Sequence, residues 1–483
     1  MYIHNKHIGK SVLSLDDTRS IRQSNDGPAI MTNSAVSTLH AASALLPEGW
    51  VSNVRVSIAE GTISSVDIGV TAQTGDERHS VLIPAMSNLH SHAFQRAMSG
   101  LAELRGPTDD SFWSWRVLMY RFALQMTPEQ IEAVAAQLYM EMLEAGFCRV
   151  GEFHYLHHDR DGSHYANIAE HAERIGAASV ETGIGLTLLP VFYAHSGFGG
   201  QLPIDGQRRF INSIESYSRL MEACGKMQTS LPGMQLGIAP HSLRAATPDE
   251  LTAILPLAEG GPVHIHVAEQ TKEVEDCIAW SGARPVEWLL DHAPVDDRWC
   301  LIHATHLSDQ EVTNMAVSGA VAGLCPITEA NLGDGTFAAS AFLAKGGRLG
   351  VGSDSNVQIS LPGELRQLEY SQRLAHRARN VIAAPNGSTG RRLFDAAIYG
   401  GAQALAAKAG LVSGAPADIV ALDTGNALYL AEDSLLDNWI FGGDVTVDSV
   451  WAAGKKKVVK GRHVARDKIR THFAKTMQAL LGG

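Results

Sequence analysis

Two histidines separated by a single serine, His90 and His92, stand just beyond the apolar run at 81–86. In extended backbone, residues i and i+2 project to the same side, so imidazoles at this spacing can reach one ion and form half of a metal site. A pair of surface histidines in a turn is the plainer account of the same three residues. Similar groups recur after other apolar runs: Glu152 to Tyr155, His241 with Arg244, His264 and His266 with Glu269 just beyond, His303, and Asp354. Singly, a strand histidine is more often a satisfied core residue, and a carboxylate after Gly-Ser is often a helix cap. Their common position relative to the strands is the stronger signal. Three neutral imidazoles and one carboxylate make a nitrogen/oxygen set for zinc, with a position left for water, and the set chosen is His90, His92, His266 and Asp354. His264 points to the same side as His266 but lies deeper in its strand, so polar packing in the core is expected for it. A second ion would need a bridging anion such as a carboxylated lysine. Lys226, the only lysine between Lys10 and Lys272, precedes the fourth strand in a helix or loop. One divalent ion per chain is therefore expected, zinc before iron or manganese.

These groups can meet only if the elements that carry them converge. Apolar runs of strand length fall at 81–86, 148–154, 184–191, 235–240, 263–268, 300–303, 320–324 and 348–353. Helical patterns at 128–145, with Thr127 as N-cap, and at 248–258, 308–318 and 391–408 alternate with them, as repeated βα units require. Eight parallel strands in that alternation predict a (β/α)8 barrel, whose functional groups gather at the C-terminal ends of its strands. The stretch after Ala268, interrupted by Gly282 and Pro285, is the hardest to divide into helices. Outside the barrel, period-two runs at 51–58 and 62–68 return in kind at 418–423, 445–451 and 457–464, so both ends are expected to build one small β-sandwich. The expected organisation is a flexible leader at 1–34, a small β-domain from 35–80 and 411–470, the barrel over 81–410, and a C-terminal helix at 471–483. Met31 is a candidate second translation start, since the leader shows no periodicity.

The chain has 483 residues, 45% of them hydrophobic and 19% charged, which describes a soluble globular protein. Its net charge of −12 argues against nucleic acid and against an anionic membrane as partner, so an anionic substrate would need locally placed arginines. Cys148, Cys224, Cys277, Cys300 and Cys325 are odd in number, far apart and never in a Cys-x-x-Cys pair. Neither a disulfide framework nor a thiolate zinc site is suggested, and reduced thiols in the cytoplasm are expected. No apolar stretch of signal-peptide or membrane-spanning length is present.

The order His-x-His, His-x-x-Glu, His, Asp along the strands resembles the amidohydrolase superfamily, in its single-metal deaminase branch, and the resemblance covers nearly the whole chain. More narrowly, HSHAFQR (90–96), SFWSWRVLMY (111–120), GEFHYLHH (151–158), APHSLR (239–244), HIHVAEQ (264–270) and TEANLGDG (328–335) are similar to the formimidoylglutamate deiminases within it. That resemblance implies hydrolysis of N-formimidoyl-L-glutamate to N-formyl-L-glutamate and ammonia, a step of histidine degradation. It implies that Asp354 takes a proton from the attacking water, that Glu269 protonates the departing nitrogen, and that His303 hydrogen-bonds the attacking oxygen or the adduct. It also assigns Gln95, Arg116, Tyr155, His241 and Arg244 to substrate, where a planar guanidinium suits a carboxylate. Without the resemblance, Arg116 beside Trp113 and Trp115 reads as a stacked surface arginine. A homodimer is expected, as symmetric dimers are the commonest assembly. The rival reading in the same branch is a purine, pyrimidine or triazine deaminase, which should favour stacking and neutral amides over two arginines. A non-catalytic barrel is the rival from another class, and it would be expected to lack a ligand or the proton shuttle.

Overall fold

A computed structural model describes residues 37–106 and 110–482. The expected leader at 1–34 and Met31 lie outside the described residues. The strands, in chain order, are β1 Ser37–Leu46, β2 Gly49–Ala59, β3 Thr62–Ile68, β4 Glu77–Pro84, β5 Met86–Ser91, β6 Phe147–His154, β7 Gly185–Phe192, β8 Gln235–Leu236, β9 Ala239–Pro240, β10 Val263–Val267, β11 Trp299–His303, β12 Val321–Leu324, β13 Arg348–Val351, β14 Ile419–Asp423, β15 Thr446–Ala452, β16 Lys455–Val459 and β17 Arg462–His463.

Eight of these strands, from the two ends of the described chain, form one sheet in the order β17-β16-β15-β14-β4-β1-β2-β3. The expected small β-sandwich is built from one continuously hydrogen-bonded sheet, joined where β14 pairs antiparallel with β4. Alternation buries Val54, Val56 and Ile58 of β2 with Leu39 and Ala41 of β1, Ile419 of β14 and Trp451 of β15. The run at 457–464 is a hairpin rather than one strand: Lys460 and Gly461 both take positive φ, 50° and 70°, between β16 and β17, as a two-residue hairpin turn requires. The last helix spans Arg466–Leu481, taking in residues that the sequence pattern had given to the sheet.

The expected first barrel strand at 81–86 is corrected by this sheet. Val81 to Pro84 pair with β1 on one side and β14 on the other, and their apolar run reflects a place at the centre of the flanking sheet. The first barrel strand is β5, MSNLHS, whose buried Asn88, His90 and Ser91 disguise it as a loop. From β5 the order is β5-β6-β7-β8 and β10-β11-β12-β13, all parallel. Bridges Ile238↔Val263 and Ser242↔His266 join the fourth position to β10, and Ser91↔Asp354 joins the last to the first, so the barrel closes on eight positions. The fourth of them, expected as one strand at 235–240, is split into β8 and β9.

Helix α1, Phe112–Gln125, and helix α2, Pro128–Ala145, both lie between β5 and β6. Thr127 caps α2 through the N–H of Gln130, whose side chain returns to the Thr127 N–H, a reciprocal box that satisfies two otherwise orphaned donors. After β10 the difficult stretch resolves into two helices, Thr271–Ser281 and Pro285–His292, separated where Gly282 turns left-handed. The pattern at 248–258 is α-helical to Ile254 and then tightens to a 3-10 turn over Leu255–Ala258, and that at 391–408 is a helix over Thr389–Ala404.

Candidate active site

The barrel seam between β13 and β5 sets the spacing of three of the proposed ligands. The N–H groups of Ser353 and Asp354 both donate to the carbonyl of His90, at 3.1 and 3.0 Å, and the N–H of His92 donates to the carbonyl of Asp354 at 3.0 Å. The same bonds that close the barrel therefore place His90, His92 and Asp354 side by side. At Gly352 a Cβ would lie 2.7 Å from the N and O of His90, so only glycine permits this approach. A buried polar network fastens the seam: Asn88 donates to Ser353 Oγ at 2.7 Å, Ser353 Oγ to Asn356 at 2.6 Å, and Asn356 to the His92 carbonyl at 3.0 Å. Asp354 itself takes a left-handed φ of 46°, as do Ala268 at 52° and His303 at 66°. Such conformations persist in ordinary residues where the surroundings over-determine them, and they gather at functional sites.

The donor atoms of His90, His92, His266 and Asp354 all lie within 4.8 Å of one another, and all four residues are buried. Asp354 Oδ1 is 3.4 Å from His90 Nε2 and 3.2 Å from His92 Nε2. The Nε2 atoms of His90 and His266 face each other at 3.1 Å. Two of the other ring nitrogens are engaged outward, His92 Nδ1 donating to the Phe153 carbonyl and His266 Nδ1 to the His241 carbonyl, each at 3.0 Å, while His90 Nδ1 has no partner among the described residues. A carbonyl partner fixes the tautomer and leaves the Nε2 lone pair for a ligand bond. Burial holds His90 at about 3 and His266 well below its ordinary value, so both imidazoles are neutral. Burial alone would raise Asp354, but its close contacts with His90 and His92 and the nearby His303 hold it well below the carboxylate range. Neutral imidazoles and an ionised carboxylate converging on one point are the donor set that a divalent ion requires.

His264 is buried and turned away, its Nε2 donating to the Ala404 carbonyl at 2.7 Å. Lys226 lies far from these groups in character, 75% exposed and paired with Glu222 at 2.8 Å. A second trio, His303, Cys325 and Asp354, shares the same carboxylate. Burial raises the Cys325 thiol well above its ordinary value, which keeps it protonated and a poor ligand.

Beyond the ligands, one cavity is lined by Gln95, Arg116, Tyr155, His241, Arg244, Glu269, His303 and Asp354, which brings together every substrate and proton-transfer residue expected from the sequence. His92 and His266 also line it, whereas His90 sits behind them. His303 Nε2 is 3.9 Å from both Glu269 Oε1 and Asp354 Oδ2, and its Nδ1 faces Glu329 at 3.3 Å. Burial would depress this histidine, but the three carboxylates outweigh it and raise its pKa. Burial also raises Glu269, against the pull of His303 and Arg244.

On the wall of the same cavity, the Arg116 guanidinium stands 4.9 Å from the Trp113 ring and 5.5 Å from the Tyr120 ring. The stacking expected of it is therefore present, with Tyr120 in place of Trp115, and it coexists with a place on the cavity wall. Gln95 donates to Tyr155 Oη at 2.8 Å. Arg244 Nη2 is 4.0 Å from Glu273, and its Nε has no hydrogen-bond partner among the described residues. Tyr120, Tyr193 and Phe210 also line the cavity and were not singled out in the sequence. Tyr120 was within reach, since it lies one helical turn after Arg116 on α1. Glu329 lies in the motif TEANLGDG but was given no role there, and Asn88 and Asn356 offered no comparable signal.

A closed (β/α)8 barrel with a His-x-His, His, Asp donor set at its rim defines a class of metal-dependent hydrolases. The chain belongs to the amidohydrolase family, whose sequence model matches residues 81–457. Residues 36–80 match the N-terminal domain of formimidoylglutamate deiminase HutF. The chain is 52% identical to formimidoylglutamate deiminase of Pseudomonas aeruginosa over 454 residues, 92% of this chain and 100% of that one. Among solved structures, an amidohydrolase from Brucella melitensis superposes with a TM-score of 0.91 at 61% identity, covering 92% of this chain and all of that one. An adenosine deaminase from Xanthomonas campestris with bound zinc shares the fold, at a TM-score of 0.75 and 20% identity over 92% of this chain and 98% of its own.

Proposed function

We propose that this chain hydrolyses N-formimidoyl-L-glutamate to N-formyl-L-glutamate and ammonia, using one zinc ion per chain. The observation that carries the reading is a single cavity whose wall carries members of a metal donor set together with two guanidiniums, Arg116 and Arg244. That combination suits a molecule that carries an amidine and two carboxylates, and a relative of this activity is similar over the whole of its length. His90, His92, His266 and Asp354 would hold the ion. When bound, such an ion supplies Lewis acidity, making water nucleophilic near neutral pH.

The remaining chemistry belongs to the chain. Asp354 accepts a proton from the water that attacks the amidine carbon. His303, 3.9 Å from both Glu269 and Asp354, stands between the two proton-carrying carboxylates and donates to the oxygen as it gains charge. Glu269, protonated more readily than an ordinary carboxyl because it is buried, gives the proton that lets nitrogen leave as ammonia. The adduct then keeps its oxygen as the formyl carbonyl, so one water is consumed for each ammonia released. Arg244 and Arg116 grip the carboxylates, while Tyr155, Gln95 and His241 line the same cavity.

A homodimer in the cytoplasm fits this reading. Among the described residues, no helix is long and apolar enough to cross a membrane. The experiment is ammonia release from formimidoylglutamate, with metal content measured on the same sample. Turnover with about one zinc per chain is expected. Release from guanine, cytosine or a triazine with none from formimidoylglutamate would overturn the reading.

A further inference from the structure

Glu273 is almost wholly buried, at 1% exposure, and has no place in the chemistry above. It stands in the first turn of the helix Thr271–Ser281, where a glutamate ordinarily reaches back to the N-cap N–H. Here it reaches further. Its Oε1 accepts from the N–H of Ala268 and its Oε2 from the N–H of Glu269, each at 3.2 Å. Ala268 is one of the left-handed residues at the strand ends, so the carboxylate ties down the strained backbone that carries Glu269. The same Oε2 is 4.0 Å from Arg244 Nη2.

One carboxylate therefore meets two parts of the cavity machinery: the backbone of Glu269 and the guanidinium of Arg244, both of which line the cavity. A simple helix cap accounts for the two N–H bonds but not for a guanidinium beside the same oxygen. We propose that Glu273 is a positioning residue that couples the carboxylate-binding arginine to the proton shuttle, a proposal that rests on the deiminase reading. Its two contacts act in opposite senses. Holding the Ala268–Glu269 backbone favours turnover, whereas its charge competes with the substrate carboxylate for Arg244 and weakens binding. Removing the charge while keeping the shape should therefore lower kcat without raising KM.

The test is Glu273→Gln, which keeps side-chain volume and one acceptor oxygen. Steady-state kinetics on formimidoylglutamate should show kcat reduced about tenfold, the worth of one lost backbone hydrogen bond in the reacting state. KM should be unchanged or lower, and the dissociation constant of N-formyl-L-glutamate, measured by calorimetry, should follow it. In an Arg244→Met background the same substitution should no longer change that dissociation constant, because the arginine through which it acts is gone. Glu273→Asp keeps the charge but shortens the reach by one methylene, and should lower kcat with no fall in KM. Loss of thermal stability with kcat and KM both unchanged would reduce Glu273 to a cap and overturn the proposal. A raised KM at normal kcat would overturn it as well. Wild-type protein that releases no ammonia from formimidoylglutamate refutes the deiminase reading, whereas an active wild type matched by both Glu273 variants refutes the coupling alone.

Discussion

Replacing Arg244 by methionine tests the carboxylate end of the site most directly. The side chain is 11% exposed, and its Nε has no hydrogen-bond partner among the described residues. Its ion pair with Glu273 stands at 4.0 Å, the outer limit of such a contact. Much of its donor capacity is thus free for a ligand. Deleting it leaves a substrate carboxylate desolvated without its partner, which costs roughly 3 kcal/mol, or on the order of 10²-fold in kcat/KM. Arg116 differs, being half-buried and stacked between Trp113 and Tyr120. Methionine at position 116 retains part of that stacking, and solvent reaches the vacated space, so a loss of about tenfold is expected. Arg244→Met should also lower stability by about 1–2 kcal/mol, because Glu273 stays buried with only its two backbone donors. The assay is ammonia release at matched zinc content, with thermal unfolding measured in parallel. Neither variant should lose metal. If both keep wild-type kcat/KM, or if Arg116→Met proves the more damaging, the assignment of these guanidiniums to the substrate carboxylates is wrong.

At the metal end, His92→Ala should lose zinc and activity together, while Glu269→Gln should keep zinc and lose turnover, since only the first removes a donor. Metal analysis with kinetics checks both, and near-normal kcat in Glu269→Gln would remove that residue from the mechanism. In the flanking sheet, Asp76 accepts from Thr38 Oγ1 at 2.6 Å, the Gln73 N–H at 2.8 Å and Arg55 Nε at 2.9 Å. Thr38 leads these contacts in holding its pKa down to about 2, against an ordinary 3.8. A depressed carboxylate stabilises the fold above its unfolded pKa and loses that contribution as pH falls through the folded value. The gap in unfolding temperature between wild type and Asp76→Asn should therefore be full above pH 4 or so and shrink toward pH 2. A gap that widens on acidification would contradict this assignment.

How far the site could be read from the sequence depended on where its strands lie in the sheets. Seven of the expected barrel strands fall at or near their places because parallel strands buried on both faces read as plain apolar runs. The first did not, and for the opposite reason. β5 buries Asn88, His90 and Ser91, whose polarity looks like a loop, while the neighbouring apolar run, Val81 to Pro84, belongs to the flanking sheet. His90 and His92 were nonetheless identifiable, because the i, i+2 geometry that brings them to one ion survives an error in strand boundary. Part of the cavity wall proposed to hold substrate was legible through local motifs such as APHSLR, which carries His241 and Arg244. Tyr193 and Phe210 were not, since an aromatic residue in a loop has no spacing that marks it until the fold brings it to the cavity, and Glu329, on the short helix Pro326–Leu332, had nothing to mark it as the partner of His303.

What the sequence could not disclose is that the metal set and the barrel closure are the same object. His90, His92 and Asp354 are spaced by three backbone hydrogen bonds that also join β13 to β5. Between the paired strands stands Gly352, where any side chain would collide with His90. Asn88, Ser353 and Asn356 bind that seam from within and touch no ligand atom. A donor set built on a mobile loop would lose ordering entropy each time it bound an ion. Here that ordering is completed when the barrel closes, and the hydrogen bonds of the seam offset it. The left-handed conformations at Asp354, His303 and Ala268 belong to the same arrangement, since each turns the chain sharply at a strand end and aims a side chain inward. Metal geometry, backbone strain and barrel closure are thereby fixed together, which leaves the loops beyond the rim to set which molecule is held there.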